Sequence, residues 1–174
     1  MNKKVILSLL SVLVFGVLSS QSRLERRNIK EEEQQMEYLH TKQVVESGSF
    51  EFKVSSVNPF GGQSKHVKGD GYFLNISPDG MSCSLPYFGI VRMGGYGENG
   101  GISFEGNTED YHLDYNDSLQ RIIIEISSKN RGEKLDFVIV VFGNGRSSIN
   151  VSSTRRNSIT YWVKLTEINK NVSI

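Results

Sequence analysis

The spacing of hydrophobic residues changes abruptly at Gly48, and the fold class follows from that change. Before Gly48 the apolar residues recur at helical spacing among charged ones, whereas after it they alternate with polar residues, as in half-buried β-strands. The alternating stretches predict nine short strands, at residues 50–55, 72–76, 81–85, 101–105, 110–115, 121–128, 134–142, 146–152 and 158–168. No helical stretch separates them, so a parallel sheet with crossover helices is excluded. The sequence predicts a mainly β fold, either an antiparallel barrel or a strongly curved sheet of about eight or nine strands, with one N-terminal α-helix.

Two turn sequences predict hairpins between neighbouring strands. Residues 78–80, Pro-Asp-Gly, join the second predicted strand to the third. Residues 143–145, Gly-Asn-Gly, join the seventh to the eighth, and Asn-Gly is a strong hairpin signal. We therefore expect both pairs of strands to be adjacent and antiparallel.

Two stretches of the predicted sheet, 122–124 and 137–142, are apolar on both faces. A strand of this kind needs a cover on its second face. We expect the N-terminal helix to supply that cover on the outer side of the sheet, through Met36, Leu39 and Val44.

The N-terminal segment has the pattern of an export signal. Two lysines precede an apolar run at residues 5–18, which is shorter than the roughly 20 residues that a membrane-spanning helix needs. We therefore divide the chain into a cleaved signal peptide (1–22), a charged helix (23–47) and an antiparallel β domain (48–174). An uncleaved N-terminal anchor is the alternative. No cysteine lies directly after the apolar run, so we expect a periplasmic or extracellular protein that is not a lipoprotein and has no transmembrane segment after cleavage.

Composition argues against several classes of function. The 20 basic and 19 acidic residues leave a formal net charge of +1, so there is no basic excess to attract nucleic acid. The single cysteine, Cys83, excludes an intramolecular disulfide and a multi-cysteine metal site, and alternation places it on the inner face of a strand. The three histidines lack metal-binding spacing, and no hydrolase nucleophile motif occurs. We expect no metal, no cofactor and no enzymatic activity.

Residues 95–100 match the nucleotide-binding pattern G-x-G-x-x-G letter for letter. A dinucleotide site needs a strand before this pattern and a helix after it, because the pyrophosphate binds at the helix N-terminus. Here a predicted strand follows. We interpret the segment as a glycine-rich loop.

The order of several sequence features resembles one protein family. These features are the N-terminal helix, strands at 49–54 and 71–76, the Leu-Pro-Tyr-Phe-Gly step at 85–89, the Gly-Gly-Ile entry to a strand within 99–106, and a closing strand. Together they are similar to those of exported bacterial proteins classed as domain of unknown function 4251 (DUF4251). The resemblance implies a signal peptide, a periplasmic or surface location and a lipocalin-like β architecture. It implies no reaction.

The candidate ligand-binding residues lie at and after the Leu-Pro-Tyr-Phe-Gly step. They are Tyr87, Phe88, Tyr96, Gly97 and Gly100. Loops on a rigid β frame commonly carry recognition, and the aromatic rings could contact an apolar or amphipathic small molecule or a glycan. The opposing interpretation is that Tyr87 and Phe88 close the end of the core, in a structural or interaction protein of the cell envelope. A hollow interior would favour the binding module, and a filled interior the envelope protein.

Overall fold

The alternating segments form one antiparallel sheet. The computed structural model describes residues 3–67, 71–90, 101–130 and 132–168. Its elements are, in chain order, α1 Lys3–Glu46, β1 Phe50–Pro59, β2 Lys65–His66, β3 Phe73–Ser77, β4 Gly80–Leu85, β5 Ile102–Gly106, β6 Asp110–Asn116, the short 3-10 helix η1 Asp117–Leu119, β7 Arg121–Asn130, β8 Glu133–Phe142, β9 Arg146–Ser153 and β10 Ile159–Glu167. All nine predicted strands are present. The structure adds the two-residue strand β2, which is too short to show alternation in the sequence.

The sheet curls into a half-barrel, which confirms the strongly curved sheet among the two predicted architectures. Its strand order is β5-β4-β3-β1-β10-β9-β8-β7-β6, and β2 pairs with β1. Every described strand pairing is antiparallel. Both predicted hairpins are confirmed. Gly80 and Gly145 have φ angles of 138° and 73° in their turns, a backbone conformation that favours glycine.

The chain divides into two units, residues 1–36 and residues 37–174. The first unit is helical from Lys3, and its charged side chains are exposed from residue 23 onward. In it, Arg27 Nε donates to Glu31 Oε1 at 2.8 Å, one helical turn away. The second unit contains residues 37–46 of α1 and the whole sheet. Because α1 begins at Lys3, it includes residues 3–22, and cleavage of that segment stays a prediction.

The concave face of the sheet carries the core. Buried and partly exposed residues alternate along β7, β8 and β10, so every second side chain points inward. The largest fully buried side chains include Phe50, Phe52, Phe137 and Tyr161. The rings of Phe50 and Phe52 meet edge to face with centroids 5.6 Å apart. These large side chains fill the interior of the half-barrel.

The end of α1 packs on the inner side of the sheet, so the expected outer cover is wrong. Met36 is 67% exposed and Leu39 is also exposed, whereas Val44 is buried in the core. The docked residues are instead Tyr38, Thr41, Val44 and Val45. Two polar contacts fix this rotation of the helix: the Tyr38 hydroxyl donates to Asp117 Oδ1 at 2.5 Å, and the Thr41 hydroxyl donates to the Gly143 carbonyl at 2.8 Å. Val138, on the outer face of β8, stays exposed.

The two edge strands of the sheet are joined by a three-residue linker, 107–109. Among the described strands β5 pairs only with β4, and β6 pairs only with β7. The Ser128 hydroxyl donates to the Asn107 carbonyl at 3.1 Å, and the Glu109 amide donates to the Ser127 carbonyl at 2.8 Å. These two hydrogen bonds attach the linker to β7. β6 then pairs with β7 along one edge, and the other edge of β6 has no partner among the described strands. We call the space between β6, the β3–β4 turn and the end of α1 the seam.

Candidate ligand-binding site

The two described members of the predicted site have different environments. Tyr87 is 8% exposed, and its hydroxyl lies 3.0 Å from the Ile90 carbonyl oxygen and 3.1 Å from the Asn157 carbonyl oxygen, so the single hydroxyl proton is shared between these two acceptors. Phe88 is 44% exposed, and Lys65 Nζ lies 4.6 Å from the centroid of its ring. Tyr96, Gly97 and Gly100 lie outside the described residues. The geometry of Tyr87 is that of a side chain that closes the core.

A buried ion pair, Glu133 with Arg156, lies next to the ring of Tyr87. Glu133 and Arg156 have side chains 8% and 11% exposed, and Arg156 Nε lies 3.0 Å from Glu133 Oε1. Arg156 Nη1 also donates to the Gly101 carbonyl at 3.0 Å, and the Ser153 hydroxyl donates to Glu133. The Arg156 guanidinium lies 5.4 Å from the centroid of the Tyr87 ring. Because both charged groups are held by these contacts, the cluster braces this end of the half-barrel.

Sequence reasoning missed this ion pair, although a signal for it was present. Glu133 has the same parity as Leu135 and Phe137, which alternation assigns to the inner face of β8. A carboxylate at such a position needs a buried partner. The partner Arg156 lies in a loop after β9 and has no pattern of its own.

Two polar side chains in the described core near Tyr87, Tyr161 and Cys83, are buried. The Tyr161 hydroxyl is buried and donates to the Pro86 carbonyl at 2.9 Å. Burial raises the pKa of the Cys83 thiol to about 12, so the thiol is protonated at neutral pH and is a poor nucleophile. Within the described ranges, no group of three or more His, Cys, Asp or Glu residues is arranged to hold a metal. No described helix has the length and hydrophobicity to span a bilayer.

The seam holds a cleft of about 460 Å³. Small-molecule sites commonly have volumes of about 300–1,000 Å³. The walls of this cleft come from the end of α1, from the β3–β4 turn, and from β6 with its linker. The residues that line it are Val45, Glu46, Gly48, Ile76, Ser77, Pro78, Thr108, Tyr111, Leu113 and Tyr115. We call it the seam cleft.

Alternation along β6 presents three side chains to the seam cleft. Tyr111, Leu113 and Tyr115 are spaced two residues apart and so share one face of the strand. Burial raises the pKa of both tyrosine hydroxyls, and the nearby Glu46 charge raises that of Tyr115 further. Both phenols are therefore neutral near pH 7. The wall is aromatic and apolar, with hydroxyl groups as hydrogen-bonding partners.

Charge is confined to one side of the seam cleft. Of the described residues that line it, Glu46 alone is charged. Lys42, one helical turn earlier, lies 4.6 Å from the centroid of the Tyr115 ring, but its ammonium group is paired with Asp117 Oδ1 at 3.1 Å. The chemistry of the cleft is therefore that of an aromatic slot with one carboxylate at its helix side.

The way α1 ends fixes the position of Glu46. The Ser47 amide donates to the Gln43 carbonyl at 3.0 Å, and the Gly48 amide donates to the Val45 carbonyl at 3.1 Å. Gly48 has a φ of 67°, in the left-handed conformation that commonly ends a helix. The chain then turns directly into β1, so the final helical turn is held beside the seam.

A second, more polar cavity of about 270 Å³ lies at the β3–β4 hairpin and the end of β5. Its lining includes Asn75, Ser82, Glu105 and Asn107. The side-chain oxygen of Asn75 is buried without a hydrogen-bond partner there. This cavity offers little apolar surface for a ligand, in contrast to the seam cleft.

Comparisons with known proteins agree with the fold. The family model of DUF4251, a domain of unknown function, matches residues 32–162. A crystal structure of a DUF4251 family protein from Bacteroides eggerthii is similar with a TM-score of 0.61 and 14% identity, covering 76% of this chain and 88% of that chain. No curated protein matches the chain. At this identity the structural similarity shows the fold, and function has to be argued from the site.

Proposed function

The chain belongs to the DUF4251 family, and we propose that it is an exported, non-catalytic protein that binds a small amphipathic molecule in the seam cleft. The observation that carries the proposal is the composition of that cleft: two tyrosines and a leucine on β6 face aliphatic residues across about 460 Å³, with one carboxylate at the side. Export rests on the lysines and apolar run of the first 18 residues.

The seam cleft is a better binding site than the described part of the segment that begins at Tyr87, residues 87–90. The Tyr87 hydroxyl is already satisfied by two carbonyl groups, and its ring lies against Arg156. A ligand would have to displace these contacts. In the seam, by contrast, Tyr111 is 44% exposed while it lines the cleft, so a ligand can gain contact with the ring without breaking the core.

The second candidate function is a structural or interaction component of the cell envelope. The observation that favours it is the filled interior: large side chains such as Phe50, Phe52 and Phe137 occupy the concave face. In that case the seam would be a packing gap with no occupant.

Binding of a neutral fluorescent probe separates these functions. N-phenyl-1-naphthylamine gains fluorescence in apolar sites, and we expect the full chain to bind it at one site. Tyr111→Ala should weaken binding about tenfold, since it removes a ring worth more than 1 kcal/mol of contact. Phe88→Ala is the matched control, because Phe88 is exposed to the same extent, 44%, but lies beside the other candidate site.

The two variants give distinct outcomes. Loss of binding in Tyr111→Ala with normal binding in Phe88→Ala supports the seam cleft. The reverse result moves the site to the segment after Tyr87. Absence of saturable binding to the unmodified protein would favour the envelope component.

A further inference from the structure

We propose that the molecule held in the seam cleft carries a cationic head group, an alkylammonium, which pairs with Glu46 and stacks on Tyr111. This inference rests on the proposed function, because it assigns the chemical class of the ligand at that same site. It is carried by three observations: an exposed carboxylate that has no ion-pair partner among the described residues, its place at the end of a helix, and the aromatic wall that β6 forms.

Glu46 is the one charged residue among the described residues that line the cleft, and it is exposed to solvent. Among the described residues it has no ion-pair partner, although it lines the cavity. The nearest candidate on its own helix is Lys42, and that ammonium group is paired with Asp117 at 3.1 Å. The negative charge of Glu46 raises the pKa of the Tyr115 hydroxyl, which also lines the cleft. A cation that enters the cleft therefore finds a carboxylate with no competing partner.

The C-terminus of α1 adds to the negative electrostatic potential around Glu46. The C-terminus of a helix carries partial negative charge on its last carbonyl groups, and basic side chains usually compensate it there. The last turn of α1 contains no basic residue and ends on Glu46 itself. Carboxylate and helix dipole thus add at one wall of the cleft. A bound cation would relieve both, whereas a fatty acid or a phosphate head group would be repelled.

The wall that β6 forms carries two tyrosine rings, Tyr111 and Tyr115, and such rings attract cations. A cation within about 6 Å of a tyrosine centroid is stabilised by the negative face of the ring. Lys42 Nζ already occupies such a position over Tyr115, at 4.6 Å. No described cation occupies that position over Tyr111, which lines the cleft four residues earlier on the same face of β6. Tyr111 is therefore the ring available to the head group, and Leu113 and Ile76 can contact the alkyl chain.

The test compares three amphiphiles with one decyl chain: decyltrimethylammonium, 1-decanol and decanoate. Each competes with N-phenyl-1-naphthylamine for the full chain at low ionic strength, below its micelle concentration. We expect the cation to bind about tenfold more tightly than 1-decanol, and decanoate more weakly than 1-decanol. Glu46→Gln should abolish this preference, so that the ratio of the affinities for decyltrimethylammonium and 1-decanol falls to about one. Glu37→Gln, which removes an exposed carboxylate from the same helix away from the cleft, is the matched control.

A second pair of variants tests the ring. Tyr111→Leu should lower the affinity for decyltrimethylammonium more than that for 1-decanol, whereas Tyr111→Phe should keep the ratio of the two affinities close to that of the unmodified protein. A preference for decanoate, or an ammonium preference that survives Glu46→Gln, would overturn the inference while 1-decanol still binds and the proposed function stands. If none of the three amphiphiles displaces the probe, the proposed function itself fails. Unfolding temperatures of all variants check that each one is folded.

Discussion

Arg156 and Glu133 form a buried ion pair, with Nε and Oε1 3.0 Å apart, at the end of the half-barrel that Tyr87 closes. The pair joins the start of β8 to the loop after β9, and the guanidinium also holds the Gly101 carbonyl. Two segments that are distant in sequence are thereby tied to the beginning of β5. This end of the fold depends on a buried ion pair, whereas the other polar residues buried in the described interior, Thr41, Ser56, Ser128 and Ser147, are uncharged.

Breaking this ion pair should destabilise the protein strongly. Glu133→Gln leaves the Arg156 charge buried without its partner, and we expect a loss of about 3–5 kcal/mol in the free energy of unfolding. The control is Lys129→Gln, which breaks the exposed Lys129–Glu109 pair at 2.9 Å and should cost less than about 1 kcal/mol. Urea denaturation of both variants measures the difference. Equal losses of unfolding free energy in the two variants would contradict a strong contribution from the Glu133–Arg156 pair.

Tyr87 should behave as a core residue and Phe88 as a surface residue. Tyr87→Ala removes a buried ring and is expected to cost about 3–5 kcal/mol of unfolding free energy. Tyr87→Phe removes only the hydroxyl that bonds the Ile90 and Asn157 carbonyls, at a cost of about 1–2 kcal/mol. Phe88→Ala should change stability by less than about 1 kcal/mol. If the two alanine variants are equally stable, Tyr87 does not close the core.

The strands could be predicted from the sequence because their signal is local. Alternation in β7 and β8 and the turn residues at 78–80 and 143–145 each act over a few neighbouring positions. The rotation of α1 was predicted wrongly because the hydrophobic pattern gave weight to Met36 and Leu39. Polar contacts of Tyr38 and Thr41 decide the packing instead, and a hydrophobicity pattern cannot show them.

The seam cleft could not be predicted for a different reason. Its walls bring Glu46, Ile76 and Tyr111 together, and these residues are separated by 30 or more positions in sequence. Only the pairing of β6 with β7, together with the rotation of α1, places them around one space. The sequence pointed instead to the aromatic residues next to the glycine-rich segment, because those residues are adjacent in the chain.

Docking of the helix end should weaken in acid. Hydrogen bonds from Tyr38 and Lys42 lower the pKa of the Asp117 carboxyl below its ordinary value. A carboxyl whose pKa is depressed in the folded protein contributes stability above its unfolded pKa, and this contribution is lost as the pH falls through the folded value. We therefore expect Asp117→Asn to be less stable than the unmodified protein near pH 7 and to approach it below about pH 4. Asp114→Asn, an exposed carboxyl on β6, serves as the control in unfolding curves recorded across this range. A stability difference for Asp117→Asn that does not change with pH would contradict the assignment.

Cys83 should be unreactive while the protein is folded. The residue is 3% exposed, and burial raises the pKa of its thiol to about 12, so thiolate is scarce and reagents have little access. Labelling with iodoacetamide at pH 8 should modify less than about a tenth of the native protein in the time that modifies all of the urea-unfolded protein. Rapid native labelling, measured by intact mass, would show that this part of the sheet opens.

The most direct test of the central claim locates the bound molecule on the protein. Backbone amide signals of the isotope-labelled full chain are followed by nuclear magnetic resonance while N-phenyl-1-naphthylamine is added. If the seam cleft is the binding site, the saturable shifts cluster at residues 45–48, 76–78 and 108–115, and residues 85–90 and 155–158 are unaffected. Shifts concentrated at residues 85–90 and 155–158, with the seam unchanged, would contradict the account.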